Sequence, residues 1–290
     1  MLKQQLRSDD MPFFRFGKDS MVLGKQTKIM GILNVTPDSF SDGGKYNDSE
    51  AAVSHALAMV QDGADIIDIG AQSTRPGHIP VTPEQEWKRL CPILSALKGR
   101  ITVPISVDTF YPEVATAAIS AGASIINDVS GSLENGMPEV AAKTGAGLIM
   151  MHAGEGADDV GHHTDAIKTV RSYFKQAIVR AANAGLPIER VCLDPGIGFG
   201  KDRRGDLQLV ARLPELLYDL PQTALLVGAS RKRVIASCCN VETPPDQRLA
   251  GTIAIHSIAV WNGAHILRVH DVAEAVQAVR VIDSLRQQFV

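Results

Sequence analysis

Eight short apolar runs punctuate the chain, each rich in Ile, Val and Leu and each stopping at a polar or charged residue. They are Lys28 to Val35, Asp65 to Ile69, Val103 to Val107, Ser124 to Ile126, Gly147 to Met151, Val191 to Leu193, Ala224 to Val227 and His265 to Val269. None is long enough for a helix, and an apolar run followed by turn residues reads as a strand buried on both faces. Between the runs lie amphipathic segments with helical spacing, among them Glu50 to Gln61, Glu84 to Leu97, Pro112 to Ala121, Ala166 to Ala184 and Gln247 to Trp261. Thr82-Pro83-Glu84-Gln85 has the pattern of a capping box with proline at the first helical position, which places one helix start. Strict alternation predicts parallel strands joined by right-handed crossovers. Eight such units predict a closed (β/α)8 TIM barrel of the α/β class rather than an open doubly wound sheet.

A length of 290 residues with 45% apolar composition fits one such barrel and a short extension. The expected organisation is a barrel domain over 28–290, preceded by an arm over 1–27 that covers or plugs the barrel bottom. Net charge is −3, with cations scattered among acids, so no basic face favours a nucleic-acid partner. The N-terminus lacks an apolar signal core and no run approaches the roughly 20 apolar residues of a membrane span, so a cytoplasmic location without a membrane partner is expected. Cys91, Cys192, Cys238 and Cys239 show no metal-ligand or disulfide-framework spacing and read as reduced structural thiols.

Barrel enzymes keep their chemistry at the C-terminal ends of the strands, so the residues that stop each run are the candidates. The first run leads into Asn34-Val35-Thr36-Pro37-Asp38-Ser39-Phe40-Ser41-Asp42-Gly43-Gly44, whose amide, carboxylate, hydroxyl and aromatic groups suit a lid over a ligand, with an ordinary turn as the alternative. After the second run, Ser73-Thr74-Arg75-Pro76-Gly77 sets an arginine fork and hydroxyls beside a rigid turn, an arrangement suited to an oxyanion. Arg268 and His270 sit at i and i+2 of the last strand, on one side of it, and together with Arg75 would neutralise a diphosphate. Asp108, Asn127-Asp128 and Asp194 converge on the mouth. Carboxylates there need hydrogen bonds, either from a flat heterocycle with a 2-amino and ring N–H pattern or from salt bridges to Lys201 or Lys232.

Gly228-Ala229-Ser230-Arg231-Lys232-Arg233 gathers three cations at a helix start, against the helix dipole, and so points to an acidic or oxygen-rich partner. Lys232 would hydrogen-bond a ligand carbonyl or, with a depressed pKa, form a Schiff base. Gly196-Ile197-Gly198-Phe199-Gly200-Lys201 fits neither the dinucleotide nor the phosphate-loop spacing. It reads as backbone that admits a close ligand, with Phe199 as a stacking wall. His162 and His163 read as solvated loop histidines.

Taken together, Gly31 to Gly44, Ser73 to Gly77, Leu193-Asp194-Pro195-Gly196-Ile197-Gly198-Phe199-Gly200-Lys201, Ser230-Arg231-Lys232 and Arg268-Val269-His270-Asp271-Val272 closely resemble the dihydropteroate synthase family, in order, from Lys28 to the C-terminus. The resemblance implies condensation of 6-hydroxymethyl-7,8-dihydropterin diphosphate with 4-aminobenzoate, with Mg2+ as cofactor and a homodimer built through outer helices. It implies that Asp108, Asn127, Asp194 and Lys232 bind the pterin edge, with Met151 and Phe199 beside its ring. Asn34 resembles the magnesium ligand, and Thr74, Arg75, Arg268 and His270 the diphosphate grip. Phe40, Arg75 and Pro76, with Ser230 and Lys232, would form the aminobenzoate pocket, and Asp38 would help hold its closed state.

Two stretches depart from the family pattern. Ala71-Gln72 stands where Gly, often followed by Glu, is usual, and Ala153-Gly154-Glu155-Gly156-Ala157-Asp158-Asp159 follows Met151-His152 where Met, Gln and Gly-x-Pro are common. Alternative readings are a pterin-binding methyltransferase domain, which needs no diphosphate grip, a non-catalytic pterin carrier, and a Schiff-base lyase built on Lys232.

Overall fold

The computed structural model describes residues 12–36, 45–72, 81–154, 165–220, 222–239 and 243–289. An antiparallel hairpin, β1 (Phe13–Phe16) and β2 (Asp19–Val22), precedes eight parallel strands. These are β3 (Lys28–Asn34), β4 (Ile66–Gly70), β5 (Ile105–Asp108), β6 (Ile125–Asp128), β7 (Gly147–Met151), β8 (Val191–Asp194), β9 (Ala224–Val227) and β10 (Ile266–Val269). They close in the order β10-β3-β4-β5-β6-β7-β8-β9. Every apolar run of the sequence carries one of them.

The strand ends differ in one consistent way from the apolar runs. β5, β6 and β8 continue through Asp108, Asn127-Asp128 and Asp194, which pair in register as Asp108 with Asn127 and Met151 with Asp194. The ladder is a main-chain property, so a polar side chain ends the apolar run without ending the strand.

Around the barrel lie α1 (Lys45–Gln61), α2 (Pro83–Leu97), α3 (Pro112–Ala121), α4 (Met137–Thr144), α5 (Ala166–Asn183), α6 (Arg203–Ala211), α7 (Arg233–Cys238), α8 (Leu249–Trp261) and α9 (Val272–Phe289). The capping box forms as the spacing predicts: Thr82 Oγ1 accepts from the Gln85 N–H at 3.3 Å, and Gln85 Oε1 accepts from the Thr82 N–H at 3.1 Å. All four cysteines are free thiols; Cys192 is buried in the barrel, whereas Cys238 and Cys239 are exposed at the end of α7 and are not core residues.

Inside the barrel the inward-facing positions change character along the strand axis. At the bottom, Met30, Ile66, Ile125, Ile149, Cys192, Leu226 and Ile266 form one apolar cluster with Phe14, Phe16 and Leu23 of the N-terminal segment. The hairpin therefore caps this end. Glycine at 147 admits it, because a Cβ there would meet Phe14 Cζ at 2.7 Å. The Gly17 N–H donates to Gly145 O at 2.8 Å and Arg190 bridges to Gly17 O at 3.1 Å, which anchors the hairpin turn. Two residues further along the same strands, the period of an extended chain brings Asp68, Asn127, Met151, Asp194 and Arg268 to the inward face. The interior thus passes from sealed hydrocarbon to ionised groups within one pleat.

Replacing Phe14 by Ala removes the largest ring of the plug and is expected to lower stability by about 3 to 5 kcal/mol. Urea unfolding of the two proteins measures this, and a loss under about 1 kcal/mol would show that the plug contributes little.

Candidate active site at the barrel mouth

Arg268 occupies the centre of the mouth. Its Nε donates to Asp68 Oδ2 at 2.6 Å and a terminal guanidinium nitrogen donates to Asp108 Oδ2 at 2.6 Å. Asp68 Oδ2 also accepts from Asn127 Nδ2 at 3.1 Å. The alternative of salt bridges to Lys201 or Lys232 gives way, for Asp68 and Asp108, to Arg268, because an arginine fork spans two carboxylates where an ammonium is a point charge. Asp68 was not among the residues singled out from the sequence. It lies inside an apolar run, and its one available signal was a carboxylate in a strand buried on both faces, which requires a partner.

Lys201 spends its three donors on backbone: His152 O at 3.1 Å, Gly196 O at 2.8 Å and Phe199 O at 2.8 Å. It stitches the chain after β7 to the chain after β8. Gly196 lies in the left-handed region at φ +64, and a Cβ there would sit 2.0 Å from His152 O. At this glycine the close neighbour is the protein's own chain, not the ligand that the sequence led us to expect. The Gly196 N–H in turn donates to Asp194 Oδ1 at 2.7 Å and fixes that carboxylate.

Lys232 Nζ donates to Ile197 O at 2.6 Å and lies 4.4 Å from the centre of the Phe199 ring. This cation–π contact sets lysine and aromatic wall side by side. Ser230 Oγ and His270 Nδ1 are 2.9 Å apart, and the His270 N–H also donates to Ser230 Oγ at 3.2 Å. Arg268 lies in β10, whereas His270, expected on the same strand, falls just beyond its end at Val269, and the two engage different partners. Met151 is buried, with its carbonyl accepting from Tyr173 Oη at 2.9 Å. Asp128 turns away to organise its own loop, accepting from the Ser130 N–H at 3.0 Å and Asn135 Nδ2 at 2.7 Å. Asn34 ends β3 and is exposed. Asp38, Phe40, Thr74, Arg75, Pro76, His162 and His163 lie outside the described residues.

Burial dominates the electrostatics. It raises the Asp108 carboxyl to about 7 against the pull of Arg268, helped by the nearby Asp68 and Asp128 charges. It raises Asp194 too, against Lys232 and the Gly196 N–H. It lowers Lys232 to about 8, opposed chiefly by Asp194, and Lys201 likewise to about 8. Three buried acceptors or hydroxyls, Asp68 Oδ1, Asn127 Oδ1 and Ser106 Oγ, have no hydrogen-bond partner among the described residues. Each such group costs about 1 to 3 kcal/mol when left unpaired, and the Asn127 amide oxygen among them suits a ligand that donates an N–H group.

Behind β4 and β5, Glu86 of α2 is fully buried and accepts from Thr109 Oγ1 at 3.1 Å and Gln72 Nε2 at 3.4 Å. The departure at Ala71-Gln72 has a local rationale: the amide at 72 supplies a donor to Glu86, where a second acid would add a like charge.

The pterin binding enzyme family matches residues 30–270, the whole of the barrel sheet apart from the first two residues of β3. Dihydropteroate synthase of Escherichia coli (strain K12) is 45% identical over 260 residues, which are 88% of this chain and 90% of that protein. The chain belongs to the dihydropteroate synthase family. A Xanthomonas albilineans dihydropteroate synthase solved with 4-aminobenzoic acid superposes with a TM-score of 0.87 at 40% identity, covering 97% of this chain and 99% of that one. A second structure of the Xanthomonas albilineans synthase, in complex with 7,8-dihydropteroate, gives 0.79 at 36% identity, covering 93% and 96%. Membership of the synthase family thus rests on sequence and on the eight-stranded barrel together.

Burial raises Glu86 from its ordinary 4.5 to about 7. The folded protein then binds a proton that the unfolded chain has lost, so this contribution is present below about 4.5 and disappears as pH rises through about 7. Glu86→Gln stays neutral throughout. Its melting temperature relative to the parent should climb between pH 5 and 8, and parallel pH curves for the two proteins would contradict the assignment.

Proposed function

We propose that the chain is a folate-biosynthesis transferase that condenses 6-hydroxymethyl-7,8-dihydropterin diphosphate with 4-aminobenzoate, giving 7,8-dihydropteroate and diphosphate. The observation that carries this reading is the mouth itself: buried acceptors in want of N–H donors lie beside Arg268, Lys232 and His270, in a family barrel. Asp194, Asp108 and Asn127 accept from the amino and ring N–H groups of the pterin, and Lys232 donates to its carbonyl. Phe199 and Met151 flank the ring.

The methylene C–O bond of the pterin diphosphate breaks with its electron pair leaving on the diphosphate oxygen, and the ring delocalises the cation that develops. The arylamine lone pair forms the new C–N bond, and the amine proton departs to solvent. Arg268 and His270, with Thr74 and Arg75, offset charge on the departing diphosphate. Phe40, Arg75 and Pro76 close with Ser230 and Lys232 around the aminobenzoate and exclude water, and Asp38 helps hold that state.

An Mg2+ ion suits this donor set. Magnesium is commonly held by one or two protein oxygens, with water and substrate phosphate completing its shell, and Asn34 offers a neutral oxygen donor at the exposed end of β3. When bound there, the ion would neutralise diphosphate charge. Lys232 near pH 7 is mostly protonated and already donates to Ile197 O, which favours a hydrogen-bonding role over a Schiff base.

A homodimer through α8 and α9 is part of the same reading. α8 is apolar on nearly all sides, yet Ile258 and Trp261 are exposed, as are Val281, Leu285 and Phe289 on the adjacent α9. An exposed apolar set of this kind favours a second copy meeting it across a two-fold axis. The described helices include none long and apolar enough to cross a membrane, and we place the protein in the cytoplasm.

Purified protein with pterin diphosphate and Mg2+ should release diphosphate only when 4-aminobenzoate is present, with dihydropteroate identified by mass. Pterin binding without that product would favour a methyltransferase-type domain or a carrier. Asp194→Ala should weaken pterin binding, whereas Arg75→Ala should chiefly impair turnover and aminobenzoate engagement; equal losses of pterin affinity in calorimetry would sink this division of labour. Trp261→Glu should convert the dimer to a monomer in light scattering at micromolar concentration. A parent protein that is already monomeric would remove the dimer from the reading.

A further inference from the structure

Asp68 has no assigned part in the proposed reaction, yet it touches two groups that do. It lies in β4, in register with Ile32 of β3 and Ser106 of β5, and is fully buried on the inward face one step above Ile66. One strand, β3, separates it from β10, and one, β5, separates it from β6. From this midpoint its Oδ2 accepts both the Arg268 Nε–H at 2.6 Å and the Asn127 amide at 3.1 Å.

We infer that Asp68 is a positioning residue that sets the orientation of Arg268 and of the Asn127 amide, and through them the two ends of the pterin diphosphate. This rests on the function proposed above. An ionised carboxylate only accepts hydrogen bonds, so Asn127 must turn its Nδ2 toward Asp68. Its Oδ1 is then the end left for a ligand, and that atom is buried with no partner among the described residues. A flipped amide would present a donor where the pterin also presents donors. On the other side, Asp68 and Asp108 take two N–H groups of the Arg268 guanidinium, which fixes its plane and leaves the remaining N–H groups for an anion. Asp108 lies at the strand end; among the described residues it is Asp68, deeper in the barrel, that links Arg268 to Asn127.

Asparagine at 68 would keep the shape but supply a donor of its own, releasing the constraint on the Asn127 amide and removing the charge that holds Nε. The test is a pair of double-mutant cycles on the full-length protein, read by calorimetry with two probes: pterin diphosphate, and 6-hydroxymethylpterin, which lacks the diphosphate. Asp68→Asn should weaken pterin diphosphate roughly ten- to hundredfold and weaken 6-hydroxymethylpterin as well. Taken as the difference between the two probes, which isolates the diphosphate, the loss from Asp68→Asn should vanish in the Arg268→Ala background; with 6-hydroxymethylpterin it should vanish in the Asn127→Ala background.

Additive losses would overturn the inference by making Asp68 a ligand contact in its own right, and unchanged affinities would reduce it to a fold residue. Should Asp68→Asn not fold, Asp68→Glu keeps the charge but displaces it by one methylene, and carries the same expectation of non-additivity. Failure of the parent protein to bind pterin diphosphate removes the proposed function; a parent that binds, with additive variants, removes only the role of Asp68.

Discussion

The bifurcated ion pair of Arg268 with Asp68 and Asp108 is the constraint on which the mouth of this barrel depends. Three strands, β4, β5 and β10, meet through it, and neither carboxylate could be kept from water without it. Removing one member of such a buried set typically costs about 3 to 5 kcal/mol, because the charge left behind has no solvent to turn to. A hydrophobic replacement of the whole set would be as stable or more so. Its presence in this barrel is therefore explained by what it holds in place rather than by stability.

That ionic layer is possible only because the layer beneath it is dry. Phe14, Phe16 and Leu23 pack at the bottom against Met30, Ile66, Ile125, Ile149 and Ile266, which sets an apolar layer beneath the acids. The same low-dielectric surroundings raise Asp108 to about 7 and lower Lys201 and Lys232 to about 8. The hairpin packs against the apolar layer that lies beneath these acids.

Much of this was readable in the chain, for a definable reason. Parallel barrel strands are buried on both faces, so their apolar runs stand out, and the residue that ends each run is by construction at one rim. Asp108, Asn127 and Asp194 were found that way, and Arg268, inside the last run, by its i and i+2 spacing with His270. The capping box at Thr82 is equally local. What escaped was pairing across the barrel. Nothing near Asp68 in sequence announces that its partner lies 200 residues away on β10, and the glycines after β8 look the same whether a ligand or the chain itself approaches them. Gly196 is filled by His152 O, and Lys201 proved to be a carbonyl-bound clamp rather than a counter-ion for the acids.

Charge at the mouth argues further about what must enter with the substrate. Among the described residues, Asp68, Asp108 and Asp194 face Arg268 and Lys232, with His270 beside Ser230, so the cations are already matched by acids before any ligand arrives. A diphosphate brought to such a site would meet repulsion from three carboxylates unless additional positive charge accompanied it. Partial protonation of Asp108, whose carboxyl is raised to about 7, relieves some of this, but a proton on Asp108 also frees part of the Arg268 fork. The two acids keep the guanidinium ordered while its remaining N–H groups stay available to an anion.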